Sequence, residues 1–312
     1  MFVASSKFCA GFSPYSFADL GETVMPLQRI ESRKNPSIQA LRSLVSSGRA
    51  RREARRYWIE GRRLVEAFLA SELGLQGPMS AIETCFVSDS FVASHPDWID
   101  FSALDTDKVC LLSDSVFSSC SGLESPDGIG LLVRQVQEGP GLASASAALS
   151  QDFLVLDRLQ DPGNLGSMIR SACAASLGTL ITLIGSTEVF SPKALRGGMG
   201  AQFGMQVFEG VEPATLLNAV QSHPSRPILI AAAAPSGGGA SLYAASTQSI
   251  LAGDRPVGFV FGQEGGGLDH DWARSSSIAL VSIPQSDSVE SLNVAAAAAI
   301  VLFERRRLRL SR

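Results

Sequence analysis

The segment DFLVLDRLQDPGNLGSMIRSACAASLG, residues 152–178, decides the fold class that we predict for this chain. Its apolar run FLVLD is typical of a strand that is buried on both faces of a parallel sheet. A Pro-Gly-Asn-Leu-Gly turn follows, and beyond it small and apolar residues recur at the spacing of a helix that begins at Asn164. The segment therefore predicts strand, loop and helix. Arg170 is the one arginine on this otherwise small and apolar helix, and its purpose has to be explained.

The same alternation of strand and helix continues beyond residue 178. The apolar runs predicted as strands are LITLIG, MQVFEG, ILIAAAA, VGFVFG and IALVSIP, and helices are predicted from Pro192, near Thr215 and from Ser291. This pattern predicts an α/β domain with a parallel sheet over residues 151–312. Ligands of such sheets bind in loops at the carboxyl ends of the strands. Three loops are rich in glycine and polar residues, as that role requires: DPGNLG, GQEGGGLD and IPQSDSVESLN.

The first half of the chain has a different organisation. Residues 25–137 predict a smaller α/β domain, in which a helix, a basic connection, a strand near residues 57–59 and a second helix precede the runs ETCFVSD, KVCLLSD and GIGLLVRQV. Residues 138–150 lie within QEGPGLASASAALSQ, which has almost no charge and no periodicity and is predicted to be a linker. A length of 312 residues also suits two domains.

Composition argues against several classes of protein. The longest apolar run, residues 294–303, falls well short of the roughly 20 residues that span a bilayer, so no membrane segment is predicted. The five cysteines include no CxxC pair, and the three histidines lie far apart in the sequence. Neither a disulfide framework nor a metal site is therefore predicted, and a reducing compartment is favoured.

The charge of the chain is distributed unevenly. The net charge is −4, yet residues 29–63 contain eleven Lys or Arg against three acids. A basic segment beside Tyr57 and Trp58 suits contacts to phosphates with aromatic stacking nearby. The alternative is a solvated helix face. The residues proposed to make these phosphate contacts are Arg51, Arg52, Arg55 and Arg56.

Residues 1–24 are rich in Ser, Phe and Ala and have no acid before Asp19, which resembles an organelle transit peptide apart from the lack of arginine. A disordered tail, with a second possible start at Met25, is the alternative. The expected location is the cytoplasm, or the matrix or stroma of a mitochondrion or plastid if these residues are a transit peptide.

Taken together, the three loops are far more specific than any one of them. DPGNLGSMIRSA, VFGQEGGGLD and IPQSDSVESLNVAAAAAIVLFERRR, with SPKALRGGMGAQF at residues 191–203, resemble the SpoU/TrmH family of RNA ribose 2′-O-methyltransferases in the SPOUT superfamily. The resemblance covers residues 152–309. Residues 28–136 resemble, more loosely, the ribosomal-protein-like substrate-binding domain of many members.

The resemblance implies a trefoil knot in the second domain, with S-adenosylmethionine bound bent among the knotted loops. It also implies an RNA substrate and a homodimer whose active site draws on both subunits. An added N-terminal domain of this kind favours rRNA over tRNA as the substrate.

Carried over residue by residue, the resemblance places cofactor-binding backbone at Gly262, Ile283 and Leu292. The polar residues that it implies for catalysis are Asn164, Arg170, Glu264, Ser291 and Asn293. Two positions depart from the family: Gln263 stands where Asn is common, and Gly198 stands where Ser is common. The second departure removes a hydroxyl that is expected to touch RNA.

These residues have expected roles. Arg170 would grip the phosphate beside the target ribose, orient the hydroxyl and stabilise the developing oxyanion; its alternative role is to bridge helices at a subunit interface. Asn164 would orient Arg170 or the ribose. Glu264 is expected to hold backbone amides or an arginine. Ser291 is predicted to be the N-cap of the last helix, with Asn293 in its first turn.

Two other functions remain as alternatives. The first is a non-catalytic RNA-binding or ribosome-assembly protein with the same fold. The second, a dehydrogenase, is disfavoured because the chain has no GxGxxG opening a helix after the first strand. For the last helix taken alone, the alternative is a capped core helix with a basic, solvated end.

Overall fold

The computed structural model describes residues 28–71, 81–95, 108–135, 142, 146–233, 238–263, 278–286 and 288–311. The chain divides into two compact units. Each unit holds one sheet, with five strands in the first and seven in the second among the described residues.

The first unit contains a mixed sheet flanked by short helices. Its strands are β1 (Gln28–Ile30), β2 (Arg56–Glu60), β3 (Ile82–Ser88), β4 (Val109–Leu112) and β5 (Ile129–Arg134). The helices up to Arg134 are α1 (Pro36–Ser46), α2 (Gly48–Ala54), α3 (Arg62–Leu69), α4 (Asp89–Ser94) and α5 (Asp114–Cys120). The strand order is β1-β4-β3-β5-β2, with β5 antiparallel to both of its neighbours and the other pairs parallel. The strands predicted from the sequence are confirmed here, and β1 was not predicted.

Trp58 is the centre of the first unit's core. Its ring is 1% exposed and meets Phe86 edge-on, with ring centroids 5.9 Å apart. Its Nε1 donates to the Glu60 carboxylate at 3.1 Å, so the indole is buried without losing a hydrogen bond. Tyr57 is also buried. The expectation that these two rings stack on RNA bases is therefore wrong, because β2 is buried along most of its length.

The second unit is an alternating α/β arrangement. Its strands are β6 (Phe153–Leu156), β7 (Thr179–Leu183), β8 (Gln206–Val211), β9 (Ile228–Ala233), β10 (Ala240–Ser241), β11 (Val257–Phe261) and β12 (Ile278–Ser282). Its helices are α6 (Pro162–Ala174), α7 (Pro192–Gly198), α8 (Pro213–Ser222), α9 (Ala245–Ala252) and α10 (Val294–Leu310). The strand order is β10-β12-β9-β11-β6-β7-β8, and every pair is parallel. The predicted α/β fold with a parallel sheet is confirmed.

Helices cover both faces of this sheet. Successive residues of β6 point to opposite faces: Leu154 and Leu156 join a core cluster that includes residues of α6 and α10, and Phe153 and Val155 join a cluster with α8. Because both faces are buried, every residue of β6 is apolar and its sequence does not alternate.

Helices α6 and α7 approach each other closely at a glycine. A Cβ atom at Gly166 would lie 2.5 Å from the carbonyl oxygen of Ala194 and 2.6 Å from the backbone nitrogen of Gly198. These neighbours are backbone atoms and cannot rotate away. Glycine at position 166 is therefore what allows the two helix backbones to touch.

A buried arginine fixes helix α10 at the edge of the sheet where the strands begin, the amino edge. Arg305 is 1% exposed, and its Nε and Nη2 donate to the two Asp152 oxygens at 2.8 and 2.9 Å. Its Nη1 donates to the carbonyls of Leu251 and Gly253 at 2.6 and 2.8 Å. Asp152 also accepts from the Val257 amide at 2.9 Å. The alternative interpretation of this helix, with a basic and solvated end, is wrong at Arg305, because a carboxylate and several carbonyls satisfy its donors.

In the part of the chain that the structure describes, no helix combines the length and apolar character that crossing a membrane requires. Residues 264–277, which belong to the loop expected to be knotted, lie outside the described residues. The trefoil knot therefore stays a prediction.

Candidate active site

The parallel sheet brings three candidate segments to one edge. The carboxyl ends of parallel strands all lie at the same edge, which we call the carboxyl edge. Helix α6 follows β6, Gly262 follows β11, and residues 283–286 and 288–293 lead from β12 to α10. The candidate residues that are far apart in sequence are therefore grouped by strand direction.

The amino end of α6 is fixed by Asp161, which the sequence analysis did not single out. Its carboxylate caps the helix by accepting from the Asn164 amide at 2.8 Å, and Lys193 Nζ donates to it at 2.6 Å. The Lys193 hydrogen bond, followed by that of Asn164, lowers the pKa of Asp161. An Asp directly before a Pro at the first helical position is a recognisable N-cap signal.

The amino end of α10 meets α6 through two asparagines. Asn293 Nδ2 donates to Asn164 Oδ1 at 3.1 Å, joining positions 129 residues apart. Asn293 Oδ1 accepts from the amides of Ala295 and Ala296 at 2.9 and 3.2 Å. Asn293 is therefore the N-cap, and the prediction that Ser291 caps this helix is wrong. Ser291 is exposed in the preceding loop.

Arg170 lies on the exposed side of α6, six residues beyond Asn164 and roughly 9 Å along the helix axis. Within the described ranges, it makes no hydrogen bond or ion pair. The neighbouring positions Met168, Ile169 and Ala172 are buried, so this helix packs on its apolar side and presents its one guanidinium outward. The geometry leaves Arg170 available to an anion.

The cofactor-binding candidates also lie at the carboxyl edge. Gly262 is buried directly after β11, and Ile283 is buried directly after β12. Leu292 and Val289 expose 36% and 51% of their surface in the loop before α10. Glu264 lies outside the described residues, so its expected contacts stay a prediction.

Gly198 points into the protein. A Cβ atom there would lie 2.5 Å from the Oε1 of Gln202, which is 1% exposed. A serine at this position would therefore face a buried amide. The expectation that its hydroxyl touches RNA is wrong, because the sequence did not show on which side of α7 this position lies.

The four arginines proposed to bind RNA differ in their surroundings. Arg51 is half-buried and its Nη1 donates to the Leu44 carbonyl at 2.6 Å, at the end of α1. Arg56 is exposed and donates to Glu83. Arg52 and Arg55 are exposed, and Arg55 ends α2 with a left-handed φ of 50°. Arg51 and Arg56 therefore contribute contacts within the first unit, and Arg52 and Arg55 lie exposed near the same helix.

Cysteine chemistry has no place in the described core. Burial raises the pKa of the Cys85 and Cys120 thiols to about 12, so both stay protonated and unreactive at neutral pH. In the described segments, no three His, Cys, Asp or Glu residues are grouped so that they would hold a metal ion.

A parallel sheet with two capped helices that meet at its carboxyl edge, the first of which carries an outward arginine further along its length, defines an α/β protein that binds its ligand in the loops of that edge. Residues 152–303 match the SpoU rRNA Methylase family, and residues 35–130 match the MRM3-like substrate binding domain. The chain therefore contains a SpoU methylase family domain.

Several known proteins are similar to this chain over most of their length. The chain is 28% identical to the 23S rRNA (guanosine(2553)-2′-O)-methyltransferase of Bacillus subtilis, over 90% of this chain and 100% of that protein. It is 29% identical to an uncharacterized tRNA/rRNA methyltransferase of Synechocystis, over 89% of this chain and 93% of the relative. The crystal structure of an AdoMet-bound rRNA methyltransferase from Sinorhizobium meliloti is 26% identical, with a TM-score of 0.72, covering 90% of this chain and 97% of that one.

Proposed function

We propose that this chain transfers a methyl group from S-adenosylmethionine to a ribose 2′-hydroxyl of ribosomal RNA, forming the O–CH₃ bond as the S–CH₃ bond breaks, with S-adenosylhomocysteine as the leaving group and the hydroxyl proton passing to solvent. The observation that carries the proposal is the hydrogen bond between Asn164 and Asn293, which joins the first and third sequence motifs at the start of the helix that carries the outward Arg170. The SpoU methylase family domain supports the reaction, and the activity of the Bacillus relative supports rRNA over tRNA.

The described loops fit the cofactor. S-adenosylmethionine supplies an electrophilic methyl group on a sulfonium. The backbone of Gly262, Ile283 and Leu292 would hold it at the ends of β11 and β12. Exposed apolar surface on Leu292 and Val289 suits an adenine ring, because covering that surface removes it from water.

Arg170 acts on the RNA side of this site. An arginine side chain keeps its charge in proteins, so it is suited to binding a phosphate and stabilising negative charge on the ribose oxygen. Holding the hydroxyl in position lowers the entropic cost of reaction. Asn164, itself held by Asn293, orients the arginine or the ribose.

Two measurements test this function. Mapping 2′-O-methyl groups across total RNA with and without the protein should show the loss of a site in rRNA. Calorimetry should show binding of S-adenosylmethionine. The alternative, a non-catalytic RNA-binding or ribosome-assembly protein, would leave the methylation map unchanged when the protein is removed.

The four arginines near α2 would contact RNA phosphates, and Arg52, Arg55 and Arg56 are exposed. Replacing Arg52 and Arg55 with Gln should lower the log–log salt slope of RNA affinity by roughly 0.7 to 0.9 for each lost contact. Arg51→Gln should instead lower stability, because it removes the bond to the Leu44 carbonyl. An unchanged slope in the double variant would mean that Arg52 and Arg55 contact solvent and not RNA phosphates.

A homodimer is proposed from one face of α10. Ala296, Ile300, Phe303 and Leu310 lie on that face, and all four are exposed. The small residues SACAAS at the end of α6 would allow close packing there. Light scattering should give twice the mass of one chain, and Phe303→Arg should lower it. A stable monomer at micromolar concentration would contradict this proposal.

Location is also a proposal. If residues 1–24 direct the chain to the matrix or stroma of an organelle, they should carry a fused fluorescent protein there. A diffuse cytoplasmic signal from the same fusion would assign the chain to the cytoplasm.

A further inference from the structure

A cleft with a volume of about 560 Å³ opens in the first unit between α1, α2 and the sheet. Its floor is apolar and is made by buried residues that include Ile30, Leu41 and Phe86. Ala40 and Ser43 of α1 also line it and are themselves exposed, so they stand at its mouth. None of these residues belongs to the candidate active site.

Hydrogen-bonding groups of both kinds also line the cleft. Arg56 donates to Glu83, and Arg134 Nε lies 3.3 Å from the other oxygen of the same carboxylate. The hydroxyl of Thr84 and the amide of Gln28 complete this set. The cleft therefore combines an apolar floor with donors and acceptors, as sites for planar polar rings do.

One wall of the cleft belongs to a basic helix. Helix α2 lines the cleft through Ala50, Glu53 and Ala54, which share one face, and its other faces and its cap carry Arg49, Arg51, Arg52 and Arg55. RNA is read mainly through unstacked bases whose phosphates lie along basic surface. A base in the cleft would leave its neighbouring phosphates beside this basic helix.

We propose that this cleft receives one unpaired nucleobase of the RNA substrate. The proposal rests on the proposed function in one respect only, namely that the substrate is RNA. A volume of about 560 Å³ lies within the range of small-molecule sites, roughly 300 to 1,000 Å³. The base is held by apolar contact and hydrogen bonds, and the arginines of α2 supply the charge-dependent part of affinity.

A pair of adjacent substitutions tests the cleft. Ala40→Phe fills its mouth, whereas Gln39→Phe adds the same ring at an exposed position of α1 that does not line the cleft. Binding of protein-free large-subunit rRNA to the full chain should weaken roughly 5- to 150-fold in Ala40→Phe, the loss expected for one stacked base. Gln39→Phe should bind within twofold of the unaltered chain.

The salt dependence separates base binding from phosphate binding. Ala40→Phe should shift the affinity at every salt concentration and leave the log–log slope unchanged, because no phosphate contact is lost. A changed slope would contradict the assignment. Ser43→Phe, at a second position lining the cleft, should repeat the result, and thermal unfolding of each variant shows whether it folds.

Ultraviolet crosslinking gives a direct readout on the unaltered chain. Crosslinked nucleotides should map to Phe86 or Cys110, both of which line the cleft, and should be lost in Ala40→Phe. Equal RNA affinity of both Phe variants, or crosslinks that avoid the cleft, would overturn the proposal. Failure of the unaltered chain to bind rRNA would instead contradict the proposed function, so the two failures are distinguishable.

Discussion

The two edges of the seven-stranded sheet are built in different ways. At the amino edge, Arg305 is buried with Asp152 and with the carbonyls at the end of α9. At the carboxyl edge, Asn293, in the exposed loop before α10, donates to Asn164 of α6. Helix α10 begins at one edge and carries Arg305 to the other, about 18 Å along its axis from Asn293.

This difference separates stability from chemistry. A buried charge pair with its donors satisfied holds a single geometry, and removing one partner is expensive. Exposed loops make fewer contacts and can close around a ligand. A substitution at the amino edge is therefore expected to affect mainly stability, and one in the residues of the candidate site mainly methylation. A substitution that affected both equally would contradict this comparison.

The largest effect is expected at Arg170, on the helix that begins at the carboxyl edge. Arg170→Ala should lower turnover roughly 10²- to 10⁴-fold while leaving S-adenosylmethionine affinity nearly intact, because Arg170 lies apart from the cofactor loops. Single-turnover methylation and calorimetry would measure the two. Ser167→Ala, on the same exposed side of α6, is the control. Turnover of Arg170→Ala within threefold of the unaltered chain would contradict its role.

The next largest effect is expected at the amino edge. Arg305→Met leaves Asp152 without its main partner, which should lower the free energy of unfolding by about 3 to 5 kcal/mol. Urea denaturation checks this. Arg309→Met is the control, since Arg309 is 38% exposed and lies 3.7 Å from Asp152; about 1 kcal/mol or less is expected. Equal losses of unfolding free energy in the two variants would show that Arg305 contributes no more to stability than Arg309.

A third variant tests the packing beneath the carboxyl edge. Gly166→Ala places a methyl group against the backbones of Ala194 and Gly198 and should cost about 1 to 3 kcal/mol of stability. Gly178→Ala is the matched control, because a Cβ there would have no neighbour within 4 Å. Thermal unfolding compares them. A neutral Gly166→Ala would mean that α6 and α7 separate easily.

The smallest change in stability is expected at Asn293. Asn293→Ala removes the cap of α10 and should cost about 1 kcal/mol. Asn293→Asp keeps the acceptor oxygen of the cap but not the amide that donates to Asn164. Stability should therefore be restored in Asn293→Asp while methylation stays impaired. Recovery of both stability and methylation in Asn293→Asp would show that Asn293 acts only as the helix cap.

Much of the fold was predictable because local pattern carries it. The runs FLVL and VGFVF are continuously apolar, which indicates strands buried on both faces. The spatial order was not predictable, since β6 lies between β11 and β7, and nothing in these apolar runs specifies a neighbour. Strands β1 and β10, with three and two residues, were too short to give a pattern.

The site was predictable only in part. Ser291 and Asn293 are both good capping residues, and the choice between them depends on Asn164, 129 residues away. Arg305 stands in the run ERRRLR, where the sequence gives it no distinction from its neighbours. Its burial follows from Asp152, on a strand that is distant in sequence. The sequence motifs therefore predicted the type of reaction better than they predicted the residues that hold the helices in place.

The bond between Asp152 and Arg305 can form only late in the synthesis of the chain. The two residues are 153 positions apart in the chain. At roughly 5 to 20 residues per second, a ribosome makes Arg305 about 8 to 30 s after Asp152. During that interval the carboxylate has no guanidinium to neutralise it, so the amino edge cannot close. A nascent chain that stops before residue 305 also lacks the full length of α10. Proteases should therefore cleave it more readily than the complete chain.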